Sequence, residues 1–148
     1  MPTGAGGPDA SPTPPQWTTD LLGPGWSAHT IELGPGPDDV ATLVRKDVAR
    51  RPTRGAVLYV HGFSDYFFAE HLGRAWAERG YQFFAIDLRR HGRSLRPGQL
   101  ANHTEDLTEY FAELDAAAAI VREQTGGPLV LLGHSTGGLT ACLWAHAR

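Results

Sequence analysis

Cysteine is almost absent from this 148-residue chain: Cys142 stands alone, so no intrachain disulfide can form and nothing points to an oxidising compartment. No Cys/His cluster has metal-ligand spacing, and neither a metal nor any other cofactor is expected. Charge of one sign is also missing. A net charge of -3 leaves no basic stripe for nucleic acid. No apolar run approaches the roughly 20 residues of a membrane span. The first residues show neither a basic n-region nor an apolar h-region, so a secretory signal is not expected. These absences leave a cytoplasmic protein without nucleic-acid or membrane partners as the expectation.

The chain is 41% hydrophobic and 20% charged, which suits a globular core at this length. Residues 1–16 (MPTGAGGPDASPTPPQ) carry almost no apolar side chains and are expected to form a disordered tail. Residues 17–148 are expected to fold. A first strand is expected near Ser27–Leu33 and a second at Val40–Lys46. From Gly55 the pattern becomes regular. Ala56–Val60, Tyr81–Ile86 and Leu129–Leu132 are short, mostly continuous apolar runs, as in strands buried on both faces. Between them, Tyr66–Arg79 has helical spacing and ends at Gly80. Thr104–Gln124 carries one apolar stripe (Leu107, Tyr110, Phe111, Leu114, Ala118, Val121), with Thr104 as its expected cap and Gly126-Gly127 as its stop. Gly138–Ala147 predicts a third helix. The alternation of strand and helix implies an α/β fold with a mostly parallel sheet flanked by helices.

The sharpest chemical feature is LVLL-GHSTG-GLTACLWA, a strand that turns into a helix through Gly133-His134-Ser135-Thr136-Gly137. A serine hydroxyl is a poor nucleophile unless the fold presents it and supplies a base. A tight strand-to-helix turn does the presenting, with Gly133 and Gly137 letting the two arms approach and Gly138 adding room. Chance alone gives roughly 0.07 such five-residue matches in a chain this rich in glycine, so the pattern is a modest signal until its context is added. The competing reading is a Gly/Ser turn in another doubly wound fold.

His61-Gly62-Phe63-Ser64 follows the strand AVLYV directly. Acyl transfer builds charge on a carbonyl oxygen, which two preorganised N–H donors should meet. Thr136, next to the serine, offers one and Phe63 offers the other, with His61 and Gly62 supporting the loop. A plain strand-end histidine is the alternative for His61. Asp87–Ser94 reads as a structural turn in which Asp87 accepts backbone or arginine hydrogen bonds. Cys142 is expected to pack as a small hydrophobe. His29, His71 and His103 read as surface or core-edge residues. Of Tyr66, Phe67 and Phe68, at least one is expected in the core while others line an acyl pocket.

Together, VLYVHGFSDYFF, FFAIDLRRHGRS and VLLGHSTGGLTA resemble the α/β-hydrolase superfamily, and within it the lysophospholipase/monoacylglycerol-lipase-like group, whose domain is also labelled serine aminopeptidase S33. The resemblance covers about residues 40–148, the N-terminal half of that domain. It implies Ser135 as nucleophile, Phe63 and Thr136 as oxyanion donors, and small-molecule carboxylic esters as substrates, with lipid-like acyl esters leading. It also implies a triad acid and histidine downstream of the serine. The 13 residues after Ser135 contain no Asp or Glu, and their only histidine is His146. Eleven helical residues set His146 about 16 Å from the serine along the axis. The expectation is therefore a partial fold lacking the C-terminal strands and lid, with little or no turnover. Loss of the base alone costs on the order of a million-fold in a serine protease. The LVLL strand would then be an open edge, inviting self-association. Two other readings stand beside this one: a non-catalytic interaction module, and a peptidase or perhydrolase of the same fold.

Overall fold

A computed structural model describes residues 13–148. The expected disordered tail falls in large part on residues 1–12, outside the described residues. Of its remainder, the Gln16 carbonyl accepts a hydrogen bond from His29 Nδ1 at 3.0 Å.

Six strands form one sheet: β1 (Thr18–Thr19), β2 (Trp26–Glu32), β3 (Val40–Lys46), β4 (Ala56–Val60), β5 (Gln82–Asp87) and β6 (Leu129–Gly133). Three helices accompany them: α1 (Glu70–Glu78), α2 (Phe111–Thr125) and α3 (Thr136–His146). The spatial order is β1-β2-β3-β5-β4-β6. The strand–helix repeat gives the parallel set β5-β4-β6, as the continuous apolar runs predict. The N-terminal strands join it antiparallel, so the sheet as a whole is mixed rather than mostly parallel. The connection between β2 and β3 is too short for a parallel crossover, which needs a dozen or more residues.

Successive side chains of a strand point to opposite faces, and here both faces are buried. Leu58, Phe84 and Ile86 pack with Leu114, Ala118 and Val121 of α2 and with Trp144 of α3. Val57, Phe83 and Ala85 pack on the other side with Trp26, Phe67, Leu72 and Trp76. Helix α1 comes so close to the sheet that a Cβ on Gly73 would overlap the Trp26 ring. Strand β6 ends the sheet and pairs only with β4 among the described residues.

Three local expectations change. The first helix starts at Glu70 rather than Tyr66, because tertiary contacts hold the preceding residues out of the helix. Phe67 is fully buried, its N–H donates to Asp87 Oδ1 at 2.8 Å, and its carbonyl accepts from Arg93 at 2.8 Å. The Thr104–Gln124 stretch divides into a 3-10 turn (Leu107–Tyr110) and α2. Its cap is Asp106, which accepts from the Thr108 N–H at 2.8 Å, rather than Thr104. Cys142 is exposed, not packed, because Ala141 and Trp144 occupy the inward stripe of α3.

Candidate active site

The C-terminal ends of β4, β5 and β6 bring three sequence motifs together. Strand β6 runs into His134, whose N–H donates to the Val60 carbonyl at 3.0 Å and ties the turn to β4. Ser135 follows at φ 54°, ψ -125°, a conformation that costs a non-glycine residue on the order of 1–3 kcal/mol. The chain then enters α3, with Gly138 N–H donating to the Ser135 carbonyl at 2.9 Å. Ser135 sits at the N-cap position, yet its hydroxyl does not cap the helix. It is exposed and has no hydrogen-bond partner among the described residues.

The glycines explain how the turn closes. A Cβ on Gly133 would overlap the Gly138 Cα, and one on Gly137 would overlap the carbonyl oxygens of Val60 and His61. On Gly138 it would meet nothing closer than the Gly133 oxygen at 3.5 Å. The close approach of the two arms therefore requires glycine at 133 and 137, while the room expected from Gly138 is not needed, since its own Cβ would fit. A Cβ on Gly62 would come within 3.2 Å of the Ser135 Cβ, so the loop after β4 lies directly against the serine.

That loop is held by His61. Its Nδ1–H donates to the Gly62 carbonyl at 2.8 Å, and its Nε2 accepts the Leu88 N–H at 3.1 Å. The tautomer is assigned by these bonds. The ring is 1% exposed, and burial pushes its pKa down against the opposing pull of the Gly62 hydrogen bond, Asp87 and Asp65. A neutral, doubly engaged imidazole has no free nitrogen to serve as a base. The backbone N–H groups of Phe63 and Thr136 donate to nothing among the described residues. Both residues line one cavity of about 170 Å³, whose wall includes Leu88, His91, Leu107 and Tyr110.

Asp87 anchors the turn after β5. Besides Phe67, it accepts from Arg93 N–H and from the Arg93 guanidinium, each at 2.9 Å. Arg93 also donates to both oxygens of Asp20, at 2.7 and 2.8 Å. All three side chains are nearly sealed from solvent. This buried cluster fixes the turn after β5 and the Phe67 backbone rather than presenting a proton carrier.

Several residues at the site have no clear signal in the sequence. Ser64, Arg90 and Asn102 share the positive φ of Ser135, at 50°, 63° and 60°. Asn102 Nδ2 donates to Ser64 Oγ at 3.3 Å, and its N–H donates to the Arg90 carbonyl at 2.9 Å, clasping the loops around the cavity. Only asparagine's tolerance of the left-handed region hinted at such a role. His91, which the sequence places in the structural turn Asp87–Ser94 without a role of its own, is 3% exposed and packs on His61 with ring centroids 4.7 Å apart. Phe67 belongs to the core, whereas Phe63, Tyr66 and Phe68 are 71%, 42% and 59% exposed beside the turn. His71, His103 and His146 are exposed and His29 is half-buried at the β2 edge. No group of three or more potential metal ligands occurs among the described residues. No helix there is long and apolar enough to cross a membrane.

The sequence pattern of the family described as serine aminopeptidase, S33 matches residues 51–148. No curated protein matches the chain. Among solved structures, a thermostable carboxyl esterase from Bacillus coagulans is 24% identical, with a TM-score of 0.69 over 83% of this chain and 41% of that one. An epoxide hydrolase from an endophytic Streptomyces is 27% identical, with a TM-score of 0.59 over 84% and 34%. A cold-adapted esterase from an Arctic intertidal metagenomic library is 19% identical, with a TM-score of 0.61 over 87% and 58%. The chain thus spans less than half the length of the first two and little more than half of the third.

Proposed function

Because the chain belongs to the serine aminopeptidase S33 family of the α/β-hydrolase superfamily, we propose that it is the nucleophile-bearing part of a serine hydrolase acting on carboxylic esters. Ser135 Oγ attacks the ester carbonyl carbon, and the oxygen that becomes negative is received by the N–H groups of Phe63 and Thr136. Collapse expels the alcohol and leaves an acyl-serine, which water then cleaves to free acid and serine. The observation that carries this reading is a non-glycine residue held at φ 54° at a strand-to-helix junction, beside two backbone donors without partners. Three other non-glycine residues among those described share a positive φ, but Ser135 is the one that stands at the strand-to-helix junction, and a strained residue with a nucleophilic side chain there fits a functional demand. The exposed Phe63, Tyr66 and Phe68 favour esters with an apolar, lipid-like part, on either side of the ester bond.

The proton on Ser135 needs a base in the first step. No imidazole lies in hydrogen-bonding reach of the hydroxyl among the described residues, and we propose that the 148 residues by themselves turn over little. A fluorophosphonate probe in large excess, followed by peptide mapping, tests both statements. The expected result is slow modification confined to Ser135, absent in Ser135→Ala, with no Ser135-dependent turnover of p-nitrophenyl acetate. Modification spread over several serines would overturn the nucleophile assignment. Rapid Ser135-dependent turnover would overturn the inactivity.

A second reading, a non-catalytic interaction module, is favoured by the position of β6 at the sheet edge. Sedimentation equilibrium distinguishes it through concentration-dependent self-association. A monomer at all concentrations would remove this reading.

A further inference from the structure

The cavity beside the turn has a feature that a wall built only for packing would not have. His91 is 3% exposed, and its Nδ1 lies 2.9 Å from the Arg89 carbonyl oxygen, which can only accept. The ring proton is therefore on Nδ1, leaving Nε2 as a lone pair with no protein partner among the described residues. Every side-chain nitrogen or oxygen fully sealed in the described structure does have a partner. Nε2 must then be reachable from outside, and the opening that the ring lines is this cavity. An unpaired acceptor in a nearly dry site invites a donor from whatever enters.

The same cavity is lined by Phe63 and Thr136, whose N–H groups lack partners among the described residues. Leu88 and Leu107 add apolar wall, and Thr104 and Thr140 have their hydroxyls already engaged, with Glu109 and with the Thr136 carbonyl. At about 30 Å³ per water-sized group, 170 Å³ holds about five or six such groups. That room matches a short acyl chain, and a purely aliphatic one leaves the acceptor bare.

The geometry points to a subsite for a short acyl chain that carries a hydroxyl group, with the carbonyl oxygen at the Phe63 and Thr136 N–H groups and the hydroxyl donating to His91 Nε2. The inference rests on the ester-hydrolase reading and adds the acid component of the substrate. It assigns the apolar bulk of the ester to the alcohol side, against Phe63, Tyr66 and Phe68. Burial holds the His91 pKa down, with His61 and Arg90 adding to that effect and the Arg89 hydrogen bond and Asp87 opposing it, which keeps Nε2 an acceptor near neutral pH.

Binding of the product acid tests this without any turnover. The 148-residue chain is titrated with 3-hydroxybutyrate and with butyrate, following the Phe63 and Thr136 amides and the His91 ring nitrogens by NMR. The carboxylate of either acid should shift both amides. The hydroxy acid should bind about five-fold tighter, as one added hydrogen bond allows, and it alone should shift His91 Nε2. In His91→Phe the two acids should bind equally, and His91→Gln, whose amide can still accept, should keep part of the preference. Equal affinities in the wild type, or a hydroxy-acid preference that survives His91→Phe, would overturn the subsite while leaving the ester-hydrolase reading intact. If neither acid moves the Phe63 and Thr136 amides, the oxyanion assignment fails and the subsite falls with it.

Discussion

Gly137 and Gly138 are adjacent in sequence and helix, yet alanine at the two positions should act in opposite directions. At Gly137 a Cβ would overlap the backbone carbonyl oxygens of Val60 and His61. Neither oxygen can rotate away, since both belong to the main chain at the end of β4. The helix start has to move, and with it the Thr136 N–H. Overpacking of this kind costs about 1–3 kcal/mol, and against rigid backbone on two sides the upper end applies. The gain from replacing glycine by alanine in a helix, about 1 kcal/mol at most, offsets only part of that. A net loss of about 2 kcal/mol follows for Gly137→Ala. At Gly138 the nearest atom beyond its own helix turn is the Gly133 carbonyl oxygen, 3.5 Å from the added Cβ, ordinary van der Waals contact. There the helix gain is unopposed, and Gly138→Ala should be neutral or more stable by up to about 1 kcal/mol. Urea unfolding followed by tryptophan fluorescence reads both, with Trp144 on the same helix as a local reporter. Equal stabilities for the two variants, or a larger loss at Gly138, would refute the steric account of the turn.

Ser135→Gly should raise stability by about 1 kcal/mol, because glycine adopts φ 54° without strain, while Ser135→Ala should leave stability nearly unchanged; a thermal melt in which glycine gives no advantage would show the turn to be unstrained. Asp87→Asn leaves Arg93 with half of its buried counter-charge and should cost about 3 kcal/mol in urea unfolding; a loss below about 1 kcal/mol would mean the arginine finds solvent. Burial lowers the pKa of both His61 and His91 below the ordinary 6.5, so the unfolded chain binds protons more readily. Their contribution is complete above about pH 6.5 and is lost as pH falls below it toward the folded-state values. Melting temperature should therefore fall between pH 6.5 and 5, with a shallower slope in His61→Gln. A flat profile over that interval would contradict the neutral brace.

Much of the fold was legible because its signals are local. Val40–Lys46 and Ala56–Val60 are strands over the ranges the apolar runs mark, and Gly126 ends α2 at φ 66° as a helix-stopping glycine should. The errors arise where a distant group overrides a local preference. Tyr66–Ala69 has helical spacing, but Asp87 and Arg93, some twenty and more residues away, capture the Phe67 backbone and keep it out of the helix. Thr104 looks like a cap, but its hydroxyl is engaged with Glu109, 2.8 Å away, and Asp106 takes the helix start. Cys142 counts as apolar in sequence, and only the direction in which α3 faces leaves it outside.

By itself the sequence determined the strand–turn–helix at Ser135 and its two companion loops, His61–Ser64 and Asp87–Ser94, because glycine spacing and apolar runs are imposed by short-range sterics and burial. It also showed that no acid follows the serine within the chain and that the one histidine that does stands eleven residues along a helix. Tertiary structure alone decided what surrounds that serine. The pairing of β4 with β6 brings Gly62 against Ser135, His61 joins the loop after β4 to the turn after β5, and His91 turns an unpaired nitrogen toward the same cavity. These relations join residues far apart in the chain. They exist only once the sheet has brought its strand ends together, and no local pattern carries them.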